Sequence, residues 1–176
     1  MASVLSHPAV PLALAVAAGP AAIPSGLAAL ACAASVLPDA DAVGYWAGVP
    51  YGSVLGHRGF THSLLFALLV AAVSTRLAAR LGARAPTVFA VVFLATASHG
   101  ILDALTNGGM GVAFFSPFSN ARYFLPWRPI AVSPIGVAPF FSARGLAVLR
   151  SELVWIWTPC AAAAGLALFA RRLRSA

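Results

Sequence analysis

Three runs of the chain, about Thr61 to Leu81, about Pro86 to Thr106 and about Leu153 to Ala170, are apolar over close to the ~20 residues that a helix needs to cross the hydrocarbon core of a bilayer. No water is available there to satisfy backbone N–H and C=O groups, so such runs must close their hydrogen bonds internally and read as transmembrane helices. Thr61 can cap the first, Pro86 suits the first turn of the second, and Asn107-Gly108-Gly109 ends it. Of the 176 residues, 61% are hydrophobic and 9% charged, and mean hydropathy is +0.91. The expectation is a single membrane-embedded domain over residues 1–176, all-α and multi-pass, with three to four spanning helices.

The N-terminal stretch from Pro8 to Leu37 is equally apolar, but Gly19-Pro20 and Pro24 interrupt it. One straight helix would be about 45 Å long and would put His7 and Asp39 on opposite faces of the membrane. Two readings stay open. In one, a single span runs from about Pro20 to Leu37 and His7 lies outside any site; in the other, two half-helices fold back around Gly19 to Ser25, the turn being sheltered by protein. No basic segment precedes the stretch, so no signal peptide is read there and the N-terminus is expected to be retained. The connection from Asn107 to Ser151, rich in Pro, Phe and Arg, reads as an irregular cover at the membrane interface, with a short amphipathic helix from Arg144 to Glu152.

The net charge of +7 comes from eleven Arg and no Lys against four acids. Arg76, Arg80 and Arg84 lie between two apolar runs, and Arg171, Arg172 and Arg174 follow the last, which is where positive-inside charge sits. A membrane surface explains them, and no direct nucleic-acid binding is expected. Cys32 and Cys160 each lie within an apolar run, so neither a disulfide nor a thiolate zinc site is read. Trp46, Trp127, Trp155 and Trp157 read as interface anchors.

The chain holds four acids and four histidines, and seven of these eight fall into four clusters: His7, Asp39-x-Asp41, His57-Arg58-Gly59-Phe60-Thr61-His62-Ser63, and His99-x-x-x-Asp103. The helix directions bring the last three to one membrane face, joined by His7 if the N-terminal stretch folds back, and ionisable groups kept at such a place mark function. His99 and Asp103, four apart on a helix, share a face. Asp39 and Asp41 alone would read as a turn and cap, but two carboxylates met by His57, His62, His99 and Asp103 are better explained by a cation holding them. Imidazole and carboxylate without thiolate suit a divalent metal, zinc first, with manganese or iron as alternatives, as one or more ions. Glu152, the eighth, reads as a partner of a helix dipole. Ser63 and Ser98 adjoin histidines, yet no Gly-x-Ser-x-Gly elbow supports a serine hydrolase.

Leu37-Pro38-Asp39-Ala40-Asp41, Gly56-His57-Arg58-Gly59-Phe60-Thr61-His62-Ser63-Leu64-Leu65, Ser98-His99-Gly100-Ile101-Leu102-Asp103-Ala104-Leu105-Thr106 and Ser116-Pro117-Phe118 resemble the bacterial LexA-binding, inner-membrane-associated hydrolase family, also described as membrane-bound metal-dependent hydrolases. The likeness runs from His7 to about Ile135. It implies an inner-membrane location, a metal-dependent hydrolytic activity and a LexA-type partner. The order His, Asp, His, His-x-x-x-Asp is also similar to zinc-dependent phospholipase C and related single-strand nucleases, which cleave phosphoesters; some later ligands of that pattern have no counterpart here.

The resulting expectation is a membrane-bound hydrolase of a phosphoester, with membrane lipids as surroundings and a lipid-linked phosphoester as substrate. Its metal ligands would be drawn from His7, Asp39, Asp41, His57, His62, His99 and Asp103. A non-ligating Asp among Asp39, Asp41 and Asp103 would serve as general base. Arg58, with Arg122 and Arg128 behind it, would hold phosphate oxygens. The alternative is a non-enzymatic regulator with a structural metal. The arginine placement puts the site on the periplasmic face.

Overall fold

The computed structural model describes residues 1–175, and no strand occurs among them. The helices are α1 (Ala9–Ala18), α2 (Ser25–Val36), α3 (Ala42–Trp46), α4 (Leu64–Ser74), α5 (Ala85–Ala104), α6 (Val137–Phe140), α7 (Ala143–Glu152) and α8 (Thr158–Ser175). The expected all-α membrane architecture holds. Three stretches are long and apolar enough to cross a bilayer: Ser25–Trp46, Ala85–Ala104 and Ala143–Arg174.

The N-terminal stretch folds back. Gly19 takes φ 82° and ends α1, Pro24 stands before α2, and the guanidinium of Arg171 donates to the Ala17 carbonyl at 3.0 Å, covering an acceptor that the end of α1 leaves unpaired. A side chain at Gly19 would collide with that guanidinium. The fold-back returns α2 to the face from which α1 started, so His7 and Asp39 lie at the same end.

Two expected boundaries are corrected. The run from Thr61 to Leu81 yields only α4 with a tighter turn over Thr75–Leu77, about 1.5 Å per residue and too short to span unaided. At its start, Ser63 rather than Thr61 is the cap, accepting from Phe66 N at 3.1 Å, because residues 60–62 are tied up in a 3₁₀ turn at the site. At its end, the hydroxyls of Ser74 and Thr75 bond back to the Val70 and Ala72 carbonyls, which competes with helix propagation. The last span, expected from Leu153, instead starts at Ala143 and passes through a π turn at Leu153–Trp157 into α8. The second span ends at Ala104, just before Asn107.

Across the bundle, α8 packs on α1, α1 on α2, α2 on α5, and α5 on α4. The core between α2, α4 and α5 is built from Leu27, Ala31, Ala34, Ala71, Val88, Val92 and Ala95; its alanines let the backbones approach, as small residues do in membrane helix packing. A smaller cluster of Ala2, Ala9, Leu102, Ile130 and Ile156 wedges the N-terminal residues between α5 and the start of the last span.

Candidate metal centre

Every polar cluster arrives at one end of the bundle. Asp39 and Asp41 sit on the 3₁₀ turn Leu37–Asp41, opened by Pro38, that prolongs α2. His62 closes the 3₁₀ turn Phe60–His62 before α4, and His57 lies in the loop ahead of it. That loop turns sharply: a Cβ at Gly59 would strike the Val54 carbonyl. His99 and Asp103 stand on the last turns of α5, and His7 on the turn leading into α1. His7, His57, His62, His99 and Asp103 are buried, and Asp39 nearly so.

The spacing decides what holds them. His99 Nε2 lies 3.4 Å from Asp39 Oδ1, His62 Nε2 lies 3.5 Å from Asp103 Oδ2 and 3.7 Å from Asp39 Oδ1, and His7 Nε2 lies 3.8 Å from both Asp39 Oδ2 and Asp103 Oδ1. These separations exceed the ~2.7–3.2 Å of a hydrogen bond. The two shortest fall within, and the others 0.1–0.2 Å above, the ~3.3–3.6 Å between neighbouring ligands placed ~2.0–2.2 Å from one tetrahedral ion. His99 Nε2 and His62 Nε2 face each other at 3.0 Å, which needs a proton or a cation between two lone pairs.

Asp39 Oδ1 and Oδ2, both ring nitrogens of His7 and His57 Nε2 are buried and have no hydrogen-bond partner, and Asp103 Oδ2 has an ion pair with Arg58 in place of one. Buried polar atoms without partners are rare and costly; here the Asp39 oxygens and His7 Nε2 face each other, and a cation between them and the neighbouring His62, His99 and Asp103 would satisfy them. Two groups of four meet the requirement: Asp39, His62, His99 and Asp103, and Asp39, Asp41, His57 and His62. The residues therefore fit a divalent ion, with Asp39 and His62 common to both groups.

The outer contacts aim the donors inward. His99 Nδ1 faces the Ser35 carbonyl at 2.7 Å, which fixes its proton there and turns Nε2 to the centre. Asp41 holds His57 Nδ1 at 2.6 Å, accepts from Thr61 Oγ1 at 2.5 Å and faces His62 Nδ1 at 3.2 Å. The ring of His7 stacks on that of His99, with centroids 3.6 Å apart. Burial and the His99 ring push His7 down to about 3, so it is neutral and able to ligate. Burial also opposes charge on His62, but Asp103, Asp39 and Asp41 outweigh it and raise it to about 10.

Arg58 is placed differently from the expected phosphate grip. It is fully buried with φ 62°, pairs through Nε with Asp103 Oδ2 at 3.0 Å, and donates to Thr106 Oγ1 at 2.9 Å and the Gly108 carbonyl at 3.0 Å. Its donors point at the protein, and it positions Asp103. Arg122 braces the His57 loop through the carbonyls of His57, Tyr51 and Ser53, and Arg128 stacks over Phe124. Ser63 Oγ caps α4 and Ser98 Oγ donates to the Ala95 carbonyl, so neither is set up as a nucleophile.

Two contributors have no sequence motif. Ala2 N donates to Asp103 Oδ1 at 2.6 Å. Glu152, expected to favour a helix dipole, is instead a buried anchor: it accepts from Ser3 N, from Ser3 Oγ at 2.6 Å and from Ser6 Oγ at 2.8 Å. It thereby ties down the segment carrying Ala2 and His7. Only its position as a lone acid in an apolar stretch signals a partner.

The family model of the YdjM inner membrane protein matches residues 1–174. The chain belongs to the YdjM inner membrane protein family. It is also 38% identical to the inner membrane protein YbcI of Escherichia coli (strain K12) over 174 residues, covering 98% of this chain and 100% of YbcI. No solved structure matches. Together with the three apolar spans, this makes the chain a multi-pass protein of the bacterial inner membrane.

Proposed function

We propose that the chain is a membrane-bound, metal-dependent hydrolase of a phosphoester carried by a membrane lipid. One observation carries the reading: unpartnered His and Asp donors are buried at co-ligand spacing, and beside them the Asp41–His57 pair leaves His57 Nε2 free of any hydrogen bond. A structural ion needs the first feature. The second adds a base that a hydrolytic site can use.

Asp39, His62, His99 and Asp103 would hold the ion, with His7 closing the cradle from the α1 side. A divalent ion, zinc before manganese or iron, supplies a Lewis acid for a phosphoryl oxygen and a water nucleophile at neutral pH. Asp41 orients the His57 ring by accepting from Nδ1, and the free Nε2 takes the proton of the attacking water. The water oxygen bonds to phosphorus, the bond from phosphorus to the leaving alcohol oxygen breaks, and that proton passes to the alcohol. Arg58 keeps Asp103 in place, while the surrounding apolar helices exclude bulk water.

The test is metal analysis of the detergent-purified protein by mass spectrometry, with phosphate release measured from phosphatidic acid before and after EDTA. Bound metal with EDTA-sensitive release is expected. Stoichiometric metal without release from phosphatidic acid, before or after added zinc, manganese or iron, would overturn the hydrolase and favour a structural metal in a regulator.

A further inference from the structure

Beside the metal centre lies a groove of about 350 Å³, lined by Met1, Ser3, Leu5, Trp46, Val137 and Phe141 among others. It is in the size range of small-molecule sites. It shares its wall with the centre: Met1 and Ser3 line the groove, while Ala2 between them donates to Asp103 Oδ1. The wall is fixed, because Ser3 is bonded to Glu152 and the Met1 carbonyl accepts from Ser133 N at 2.9 Å. Away from Ser3 and Ser133 the lining is apolar.

The position of the groove says what fills it. Trp46 ends the apolar helical stretch Ser25–Trp46 and Phe141 stands two residues before the stretch Ala143–Arg174, so the mouth opens at the end of the bundle where two of the apolar stretches meet the metal centre. Trp46, Val137 and Phe141 are strongly exposed there, as aromatic and apolar side chains at a lipid interface are. In a chain surrounded by bilayer, an apolar mouth of this kind offers a place to a lipid acyl chain.

We propose that this groove holds an acyl chain of the lipid whose phosphate sits at the metal centre, an inference that rests on the functional reading above and gives its substrate two anchors. The phosphate meets the ion; the chain runs over the Met1–Ser3 wall and between Trp46 and the α6 turn. Selectivity for lipids over soluble phosphoesters then comes from the groove rather than from charge.

Vesicles of phosphatidylcholine containing phosphatidic acid with a photoactivatable diazirine on its acyl chain test this with the intact, reconstituted protein. Adducts mapped by mass spectrometry are expected at Leu5, Trp46, Val137 or Phe141, with a severalfold fall after EDTA, because stripping the ion releases the phosphate anchor. Adducts confined to outward positions such as Leu68, Leu94 and Leu166 would overturn the proposal, as would groove adducts indifferent to EDTA. Phosphate release is read separately: groove adducts that respond to EDTA without any release would sink hydrolysis and leave the lipid site standing.

Discussion

The two ends of the bundle use charge in opposite ways. At one end Asp39, Asp103, Arg58 and four histidines are buried and aimed at one another; at the other, Arg76, Arg80 and Arg84 are exposed, and Arg171 reaches the end of α1. The same apolar helices connect them. A charge at the arginine end is hydrated and screened, so its loss costs little. At the site end each charge was desolvated on folding and is tolerated only through its neighbours. Single substitutions should therefore be severe at one end and mild at the other.

The largest effect is expected for Asp103→Ala. It removes a ligand and strands Arg58, buried without its carboxylate, and breaking such a pair costs about 3–5 kcal/mol. Loss of bound metal and a lower unfolding midpoint are expected. His99→Ala, which strands no opposite charge, should lose metal with a smaller stability change. Full metal occupancy in both would end the comparison.

Arg58→Lys comes next. A planar fork serving Asp103, Thr106 and Gly108 becomes a single ammonium, and losing such support of a ligand costs about 10–100-fold in metal affinity. Metal titration reads it. Unchanged affinity with slower turnover would instead return Arg58 to the phosphate.

Much of this end was legible in the sequence. His99 and Asp103 share a helix face by their spacing, and Gly19-Pro20 with Pro24 allowed the fold-back that brings His7 to Asp39. The inward aim of Arg58 was not legible, because it depends on a positive φ and on the Gly108 carbonyl, fifty residues on. Nor was the anchoring by Glu152, which spans 149 residues of sequence to Ser3. The short α4 was hidden for another reason: its apolar run continues past the point where Ser74 and Thr75 divert the backbone carbonyls.

Glu152→Gln tests the anchor. An amide has one acceptor oxygen where the carboxylate served three donors, and an unsatisfied buried group costs about 1–3 kcal/mol. Faster proteolysis ahead of His7 and weaker metal binding are expected together. A stable variant with unchanged metal affinity would detach the N-terminal segment from the site.

Protonation sharpens the same contrast. His62 is raised to about 10 by Asp103, Asp39 and Asp41 despite its burial, so at neutral pH the metal-free protein carries that proton, and an ion at Nε2 must expel it. The sign follows: affinity rises with pH below about 10, close to tenfold per pH unit for one proton. Calorimetry in two buffers of different ionisation enthalpy should find about one proton released. Release of none would mean that His62 is not a ligand.

The smallest effect belongs to the arginine end. Ala79→Cys, in an exposed turn between Arg76 and Arg80, should change stability by no more than about 0.5 kcal/mol and leave metal content intact. In a background with Cys32 and Cys160 replaced by Ala, it also reports orientation. The positive-inside rule places Arg76, Arg80 and Arg84 in the cytoplasm, while Asn120, exposed in the cover on the site's side, would face the periplasm. Arg122, Arg128, Arg144 and Arg150 lie on that same side, but they are spread through a longer connection, which weighs less in setting topology. A membrane-impermeant maleimide applied to intact spheroplasts should label Asn120→Cys and spare Ala79→Cys until the membrane is opened. The reverse pattern would put the metal centre at the cytoplasmic face, where the lipid reaching the groove between Trp46 and Phe141 would come from the inner leaflet.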